Sequence, residues 1–198
     1  MRECMIGSHP GGRSLTERLF ALAGIGPPVR VLDLGAGAGE SVRYLMECGF
    51  EAEGIDLLTG KAPDGSVRFG DMRALPFPDE SAEVCLAECS VSGCGDGPAA
   101  LGEAFRVLRP GGSLLLSDVF FHHVENKGSC MREASLEPGF WRKGELSFSM
   151  PEPLGMECWR KAWRDAGFVL KGLTDETPLW REFFLESHWN GNADPACM

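Results

Sequence analysis

The sequence has no run of apolar residues near the ~18 that a membrane span requires. Its N-terminal stretch, MRECMIGSHPGG, also lacks the apolar core of a signal peptide. No cluster of Lys and Arg of the kind that contacts phosphates occurs, and the net charge is −10. These absences argue against a membrane span and against nucleic acid as the main substrate. We therefore expect a cytoplasmic protein.

Closely spaced cysteine pairs are missing as well, because no C-x-x-C occurs among the eight cysteines. Their density, about 4% of the residues, is below that of disulfide scaffolds. Structural zinc sites use such close pairs, so no metal site is predicted. Cys89 and Cys94 could gather with Cys130 and Cys158 as a soft-ligand cluster. We expect most of the thiols to be small buried hydrophobes or surface groups instead.

The most informative stretch is VRVLDLGAGAGE, residues 29–40. Its apolar first half predicts a buried strand, and its three glycines predict a sharp turn close to a ligand. A helix is predicted to begin at Glu40, so that backbone N–H groups face the ligand and Asp33 lies at the strand end. This order predicts a single α/β domain with a doubly wound, mostly parallel, Rossmann-like sheet.

A dinucleotide site is disfavoured by the last position of the glycine pattern. That pattern, G-x-G-x-x-G, ends in glycine or alanine so that helix and strand pack closely. Here the position holds Glu40, which is large and charged. The acid at the strand end, Asp33, does not belong to the dinucleotide pattern either. An NAD(P)-dependent oxidoreductase is therefore a weak alternative.

Acidic residues follow the next predicted strands. Asp56 ends a second strand ~20 residues after the glycine turn, where a carboxylate can accept hydrogen bonds from ribose hydroxyls. Asp71 follows a brief third strand and can accept the exocyclic amine of adenine, with the backbone of Met72 beside it. Strand four delivers Glu88 to the same edge. Together these residues predict a nucleotide-binding crevice.

Four landmarks occur in order over about residues 30 to 120: VLDLGAGAGE, GIDLL, GDMRALPFPDESAEVCLAE and FRVLRPGGSLLLSDV. They resemble the class I S-adenosylmethionine-dependent methyltransferases, and look closest to the small-molecule branch that includes the quinone-biosynthesis C-methyltransferases. The resemblance implies methyl transfer to a small-molecule acceptor, with S-adenosyl-L-methionine as cofactor and S-adenosyl-L-homocysteine as product. The cofactor-binding residues expected on this basis are Asp33, Gly35, Ala36, Gly37, Gly39, Asp56, Leu57, Asp71, Met72 and Glu88.

The resemblance implies a single S-adenosylmethionine-dependent methyltransferase domain over residues 1–198, which we expect to have four parts. Residues 1–28 are an N-terminal lid arm and helix, and 29–120 are the cofactor-binding core. Residues 121–152 read as an insertion over the active-site edge, and 153–198 as a C-terminal helix–strand–helix.

Three finer predictions concern the element ends. Ser14 is expected to cap the first helix, with Glu17 completing a capping box. The fifth strand is expected to begin after the PGG turn that closes the preceding helix. A sixth strand is expected in FVLKGLTDE, residues 168–176, but NGNADPACM offers no seventh strand. An uncovered edge strand invites association, so a homodimer is a hypothesis.

The residues that would bind the methyl acceptor are harder to predict from the sequence than those that would bind the cofactor. Candidates for proton transfer are His122 and His123, just past strand five, and Cys89 after strand four. Trp159 and Trp163 have helical spacing typical of core packing, although with the tryptophans at 141 and 180 they could line an apolar acceptor pocket. Two alternatives stay open: a non-catalytic S-adenosylmethionine-binding protein that serves a partner, and an arsenite or thiol methyltransferase.

Overall fold

The computed structural model describes residues 9–57, 62, 64–119 and 155–189. In chain order, the helices and strands within these ranges are α1 (Gly12–Ala23), β1 (Arg30–Leu34), α2 (Glu40–Glu47), β2 (Glu51–Asp56), β3 (Val67–Phe69), β4 (Ala82–Glu88), α3 (Gly97–Val107), β5 (Leu108–Ser117), α4 (Met156–Asp165) and α5 (Thr177–Trp189). Helices and strands alternate from α1 to β2 and from β4 to β5, whereas β2, β3 and β4 follow one another without an intervening helix, and two helices follow the last strand.

The sheet of the described residues has five parallel strands in the order β3-β2-β1-β4-β5. Asp33 on β1 lies opposite Gly54 on β2 and Leu86 on β4, so the carboxyl ends of these strands share one edge. The chain runs outward from β1 through β2 to β3, and then returns to the other side of β1 for β4 and β5. Ligands of open α/β sheets bind where the strand order reverses, here between β1 and β4. The predicted fold class is confirmed.

Both faces of the sheet are covered, as a doubly wound sheet requires. Consecutive strand residues point to opposite faces, and Val31 and Leu32 of β1 are both fully buried. Val31 belongs to the core under α1 and α2, which includes Phe20 and Leu45. Leu32 belongs to the core under α3 and α4, which includes Trp159. No helix in the described ranges is long and apolar enough to cross a bilayer.

The prediction of a sixth strand at 168–176 is wrong, because these residues form neither helix nor strand. Val169 and Leu173 are 72% and 52% exposed, so the segment buries no regular apolar face against the sheet. It is anchored at single points instead, with Phe168 edge-to-face against the Phe105 ring at 5.3 Å. Among the described strands, β5 is therefore an edge. The question of a seventh strand concerns residues 190–198, which lie outside the described ranges.

Two predicted element ends are also wrong, and glycine is the reason in each case. A turn in which Gly12 N–H donates to the His9 carbonyl, with Gly11 at φ +83°, starts α1 before Ser14. Strand β5 begins at Leu108, directly after α3, because Gly111 at φ +83° allows an irregular register against β4. The PGG sequence thus lies inside the strand.

Candidate functional site

The glycine turn between β1 and α2 is tied to strand β2. Gly35 N–H and Ala36 N–H both donate to the Ile55 carbonyl at 2.9 Å, and Gly37 N–H donates to Asp56 Oδ2 at 2.8 Å. These N–H groups, expected to face a ligand, instead hold the turn against the end of β2. The turn is therefore fixed in position by the neighbouring strand.

Glycine is required in this turn by backbone angle and by space. Gly35 has φ +82°, and a Cβ there would lie 2.6 Å from the Cβ of Ser90. Gly54, in the middle of β2, is equally restricted, because its Cβ would lie 2.6 Å from that of Ala36. Gly37 and Gly39 have φ +55° and +78°. Sequence reasoning missed Gly54, whose only signal was a glycine inside a strand pattern.

Two carboxylates are buried at the ends of β1 and β4. Asp33 is 3% exposed and Glu88 is 8% exposed. Burial raises the pKa of Asp33 well above its usual range, and the nearby charge of Glu88 raises it further. His9 offsets part of this shift, and Asp56 adds to it. The structure thus brings three of the predicted cofactor residues into one acidic crevice.

Glu88 is held by side chains from three other parts of the chain. It accepts hydrogen bonds from Thr16 Oγ1 of α1 at 3.0 Å and from Ser41 Oγ of α2 at 2.7 Å. His9 Nε2 lies 3.2 Å from Glu88 Oε2. Burial lowers the pKa of His9, but the hydrogen bond and charge of Glu88 outweigh it and the pKa is raised. This network joins α1, α2 and the segment before α1 to the crevice floor.

Sequence reasoning missed His9, Thr16 and Ser41. Thr16 and Ser41 are separated from Glu88 by 72 and 47 residues, so no local pattern connects them. The available signal was weak: each hydroxyl residue lies on the helix face that the apolar spacing assigns to the core. A polar residue on such a face needs a buried partner.

Asp71 and its neighbours lie at the β3 side of the same edge. Arg73 donates from Nε to Asp71 Oδ1 at 2.9 Å and from Nη2 to Oδ2 at 2.7 Å. The Arg73 guanidinium holds the pKa of Asp71 below its ordinary value. Met72 is buried and its methyl reaches the space beside Gly35, whereas Leu57 is exposed. A role of Asp71 toward adenine remains a prediction, since its carboxylate already has a partner.

A cavity of about 340 Å³, which we call the β5 cavity, lies at the end of β5. Its lining comes from α1, the end of β5, α4 and residues 172–180, and includes Trp159, Trp163 and Trp180. Trp159 is also part of the core and stacks on Trp163 with the ring centres 5.9 Å apart. Both expectations for these tryptophans, core packing and pocket lining, are therefore met. The tryptophan at 141 lies outside the described residues.

The structure gives no support to the residues predicted for proton transfer. His122 and His123 lie outside the described residues. Burial raises the pKa of Cys89 to about 12, so its thiol stays protonated at neutral pH and is a poor base. Asp118, directly after β5, lines the β5 cavity and was missed, although its place at a strand end resembles that of Asp56, the last residue of β2. Burial raises the pKa of Asp118, and its carboxylate accepts hydrogen bonds from Ser92 N–H and Oγ.

The thiols of the described residues give no support to a soft-ligand cluster. Cys85, Cys89 and Cys94 are free, and burial raises the pKa of each thiol. No group of three or more His, Cys, Asp or Glu suited to a metal ion occurs in the part of the chain that the structure describes.

Residues 32–116 match a family model described as a methyltransferase domain. The matched range begins in β1 and ends in β5, and it contains the glycine turn and the strand ends that carry Asp33, Asp56 and Glu88. The prediction of a methyltransferase domain is confirmed for these residues. The resemblance to the class I S-adenosylmethionine-dependent methyltransferases, inferred from the sequence, is confirmed with it.

Known proteins similar to this chain include several methyltransferases. A malonyl-[acyl-carrier protein] O-methyltransferase of Serratia marcescens is 31% identical over 132 residues, which are 63% of this chain and 52% of that protein. A demethylmenaquinone methyltransferase of Beutenbergia cavernae is 34% identical over 102 residues, 48% of this chain and 42% of that protein. The chain spans about half the length of these curated relatives, or less.

The fold is shared with solved structures over a longer range. Phosphoethanolamine N-methyltransferase 2 of Haemonchus contortus, solved in complex with S-adenosyl-L-methionine, superposes with a TM-score of 0.70. The match covers 92% of this chain and 43% of that protein, at 20% sequence identity. At this identity the likeness concerns the fold.

Proposed function

We propose that this chain binds S-adenosyl-L-methionine in the crevice between β1 and β4 and transfers its methyl group to a small-molecule acceptor. The observation that carries the proposal is the convergence of Asp33, Asp56 and Glu88 around the glycine turn. When bound, S-adenosyl-L-methionine supplies a methyl group on a positively charged sulfur. An acidic, partly desolvated crevice suits a cationic ligand, because charges interact more strongly where water is excluded.

Each part of the crevice has a distinct role in this proposal. Asp56, at the end of β2, accepts hydrogen bonds from the ribose hydroxyls. Gly35 and Gly37 leave the backbone bare where the ligand approaches. Met72, buried beside Gly35, offers an apolar surface to the adenine ring. Asp33 and Glu88 face the cationic end of the ligand.

Methyl transfer by in-line displacement depends mainly on alignment. Holding the reacting groups in line can lower the barrier by ~7–11 kcal/mol. The chain provides this rigidity through the hydrogen bonds from Thr16 and Ser41 to Glu88, which join α1 and α2 to β4. A base is needed only if the acceptor loses a proton. Asp118, whose pKa is raised, is the described carboxyl group best placed beside the β5 cavity for that task.

A small-molecule acceptor is supported by the size of the β5 cavity. Its volume of about 340 Å³ lies within the ~300–1,000 Å³ typical of small-molecule sites. The net charge of −10 disfavours nucleic acid. By name, the curated relatives act on an acyl-carrier-protein-linked malonyl group and on demethylmenaquinone.

Calorimetry with S-adenosyl-L-methionine, S-adenosyl-L-homocysteine and NADH tests the cofactor. We expect micromolar binding of the first two and none of NADH. Asp56→Ala should weaken both by ~1–3 kcal/mol, because it removes the partner of the ribose hydroxyls. Asp165→Ala, at the exposed end of α4, is the matched control and should bind as wild type. Unchanged affinity in Asp56→Ala would remove the ribose role, and NADH binding alone would overturn the proposal.

Turnover separates an enzyme from a binding protein. With S-adenosyl-L-methionine labelled in its methyl group, we expect label to appear in small aromatic or acyl acceptors offered in a panel. Cofactor binding without any transfer across the panel, to oxygen, nitrogen, sulfur or carbon, would favour the non-catalytic alternative instead. The fold alone does not decide between the two, since one fold supports many activities.

A further inference from the structure

The His9 ring is held at the carboxyl end of β4 with a hydrogen-bond acceptor at each of its two nitrogens. Its Nε2 lies 3.2 Å from Glu88 Oε2, and its Nδ1 lies 3.2 Å from the Pro10 carbonyl oxygen. A neutral imidazole carries one N–H and can donate to only one of these acceptors, whereas an imidazolium donates to both. The geometry around the ring therefore favours the protonated form of His9.

The charged groups that act on the His9 ring, within the described residues, come from two strands. Burial lowers the pKa of His9, while the hydrogen bond and charge of Glu88 on β4 raise it, and the charge of Asp33 on β1 raises it further. Helices α1 and α2 contribute the hydroxyl groups of Thr16 and Ser41, which donate to Glu88 and carry no charge. The ring thus adjoins the same two carboxyl groups that face the cationic end of the ligand in the proposed function.

The cofactor and its product differ in charge at the sulfur. S-adenosyl-L-methionine carries a positive sulfonium, which becomes a neutral thioether in S-adenosyl-L-homocysteine once the methyl group has left. A carboxylate near the sulfur favours the cofactor over the product, and a cation near it has the opposite effect. The carboxylates of the crevice and a protonated His9 therefore act in opposite directions on the choice between the two ligands.

We propose that His9 is a specificity-determining residue that sets the relative affinity of the crevice for cofactor and product. When protonated, its ring offsets the negative charge of Glu88 and weakens the preference for the sulfonium. When neutral, it leaves that charge unopposed and the cofactor binds preferentially. This inference rests on the proposed function, in which lower pH would then slow turnover through retention of the product.

Calorimetric dissociation constants of both ligands, measured on the same protein between about pH 8 and about pH 5, test the proposal. The quantity compared is the dissociation constant of S-adenosyl-L-homocysteine divided by that of S-adenosyl-L-methionine, in which packing effects common to the two ligands cancel. His9→Gln keeps the titration of Asp33 and of the ligands, so its profile is the baseline. As the pH falls, we expect the wild-type ratio to drop about 5-fold further than this baseline, the effect of neighbouring unit charges in water.

Two further variants separate the charge of His9 from its shape and from the general field of the protein. His9→Lys keeps a permanent cation and should hold the ratio near the wild-type value at low pH. Arg13→Gln is the matched control, because it removes a nearby cation whose guanidinium lies on the exposed surface, 3.6 Å from Glu47. It should keep the wild-type profile. Identical profiles of wild type and His9→Gln would overturn the inference, and so would an equal effect of Arg13→Gln.

A measurement on wild type supports or contradicts the same inference without any variant. Because coupling between two binding events is reciprocal, a ligand that responds to the charge of His9 must change the pKa of His9 in turn. In an NMR titration of the His9 ring, we expect a lower pKa in the complex with S-adenosyl-L-methionine than in the complex with S-adenosyl-L-homocysteine. Equal pKa values in the two complexes would show that the ring does not sense the sulfonium, and the inference would fail.

Binding itself separates this inference from the proposed function. A wild-type protein that binds neither ligand would contradict the proposed function, and the inference with it. A wild-type protein that binds both ligands, with a ratio that does not respond to His9, would contradict the inference alone.

Discussion

At the scale of single residues, Asp33 is the most consequential side chain of the crevice. Its carboxyl group is buried next to Glu88, and both effects raise its pKa. Compared with the unfolded chain, the folded protein therefore holds this proton more tightly. The free energy of unfolding falls as the pH rises from the ordinary value of 3.8 through the folded pKa. Burial of this carboxyl group therefore costs stability at neutral pH relative to low pH.

We expect Asp33→Asn to stabilise the protein at neutral pH by on the order of 1–3 kcal/mol, since it replaces a buried carboxyl group, whose ionisation burial disfavours, with a neutral amide. In urea unfolding, this advantage should shrink as the pH is lowered from about 8 to about 4, where the wild-type carboxyl group is protonated. The same variant should lose affinity for S-adenosyl-L-methionine. A variant less stable than wild type at neutral pH would contradict this account.

Glu80 gives a second prediction at this scale. It is an exposed residue with φ +53°, a left-handed conformation that side chains disfavour. Its backbone N–H and C=O bond Arg106 and Arg109, and glycine would keep both bonds. Glu80→Gly should therefore stabilise the fold by about 0.5–1 kcal/mol in urea unfolding.

The control for this change is Glu47→Gly, also an exposed glutamate but with helical angles in α2. It should lose about 1 kcal/mol, because glycine is a poor helix former. Destabilisation of both variants to the same extent would show that the angle at Glu80 is not strained.

The residues of the crevice show what the sequence could reveal. Asp33 and Asp56 were found because each lies at the carboxyl end of a recognisable strand, and parallel pairing brings those strand ends to one edge of the sheet. His9 and Thr16 could not be found in this way, since their partner Glu88 is distant in the chain. A buried hydrogen bond between distant residues leaves no periodic pattern.

At the scale of elements, Arg106 joins helix α3 to the loop that follows β3. Its guanidinium donates to the carbonyls of Leu75 and Phe77, at 3.1 and 2.9 Å, and to Asp79 at 2.7 Å. Nε bonds Glu103 of the same helix at 2.7 Å. The planar fork of arginine is suited to several acceptors at once, which lysine cannot match.

Arg106→Lys should therefore lower the free energy of unfolding by about 1–2 kcal/mol, a figure reduced for the partial exposure of the side chain. Arg160→Lys, on the exposed side of α4, is the control and should stay within about 0.5 kcal/mol of wild type. Denaturant unfolding of both variants measures the difference. Equal stability of the two would show that the loop is held by other contacts.

The elements also show where pattern reasoning stops. Helices α2 and α3 and strands β1 to β4 follow directly from apolar spacing and from glycine and proline. Residues 168–176 have a composition typical of a strand. A strand forms only where it can pair with the edge of a neighbouring strand, and the sequence pattern of the segment does not show whether such an edge is within reach. The start of α1 depends on a turn through Gly11. The backbone angles of a glycine cannot be predicted from the residues beside it, because glycine adopts both positive and negative φ.

At the scale of the whole molecule, we predict a homodimer. The prediction is based on the edge strand β5 and on the exposed side chains of Val169 and Leu173, which a second copy could cover. We expect light scattering at high protein concentration to give the mass of a dimer. Leu173→Asp should shift the mass toward the monomer, because a charge opposes burial of this surface. A monomer over the whole concentration range would contradict the prediction.

The hydrogen bond between Thr16 and Glu88 joins residues 72 positions apart in the chain. During synthesis, the helix that carries Thr16 leaves the ribosome well before the strand that completes its partner. A nascent chain ending before β4 therefore lacks the floor of the crevice, however well its first strands are formed. Nascent chains of increasing length should accordingly bind the ligand only once β4 has emerged. Ligand binding would then report the stage of synthesis at which β4 joins the sheet.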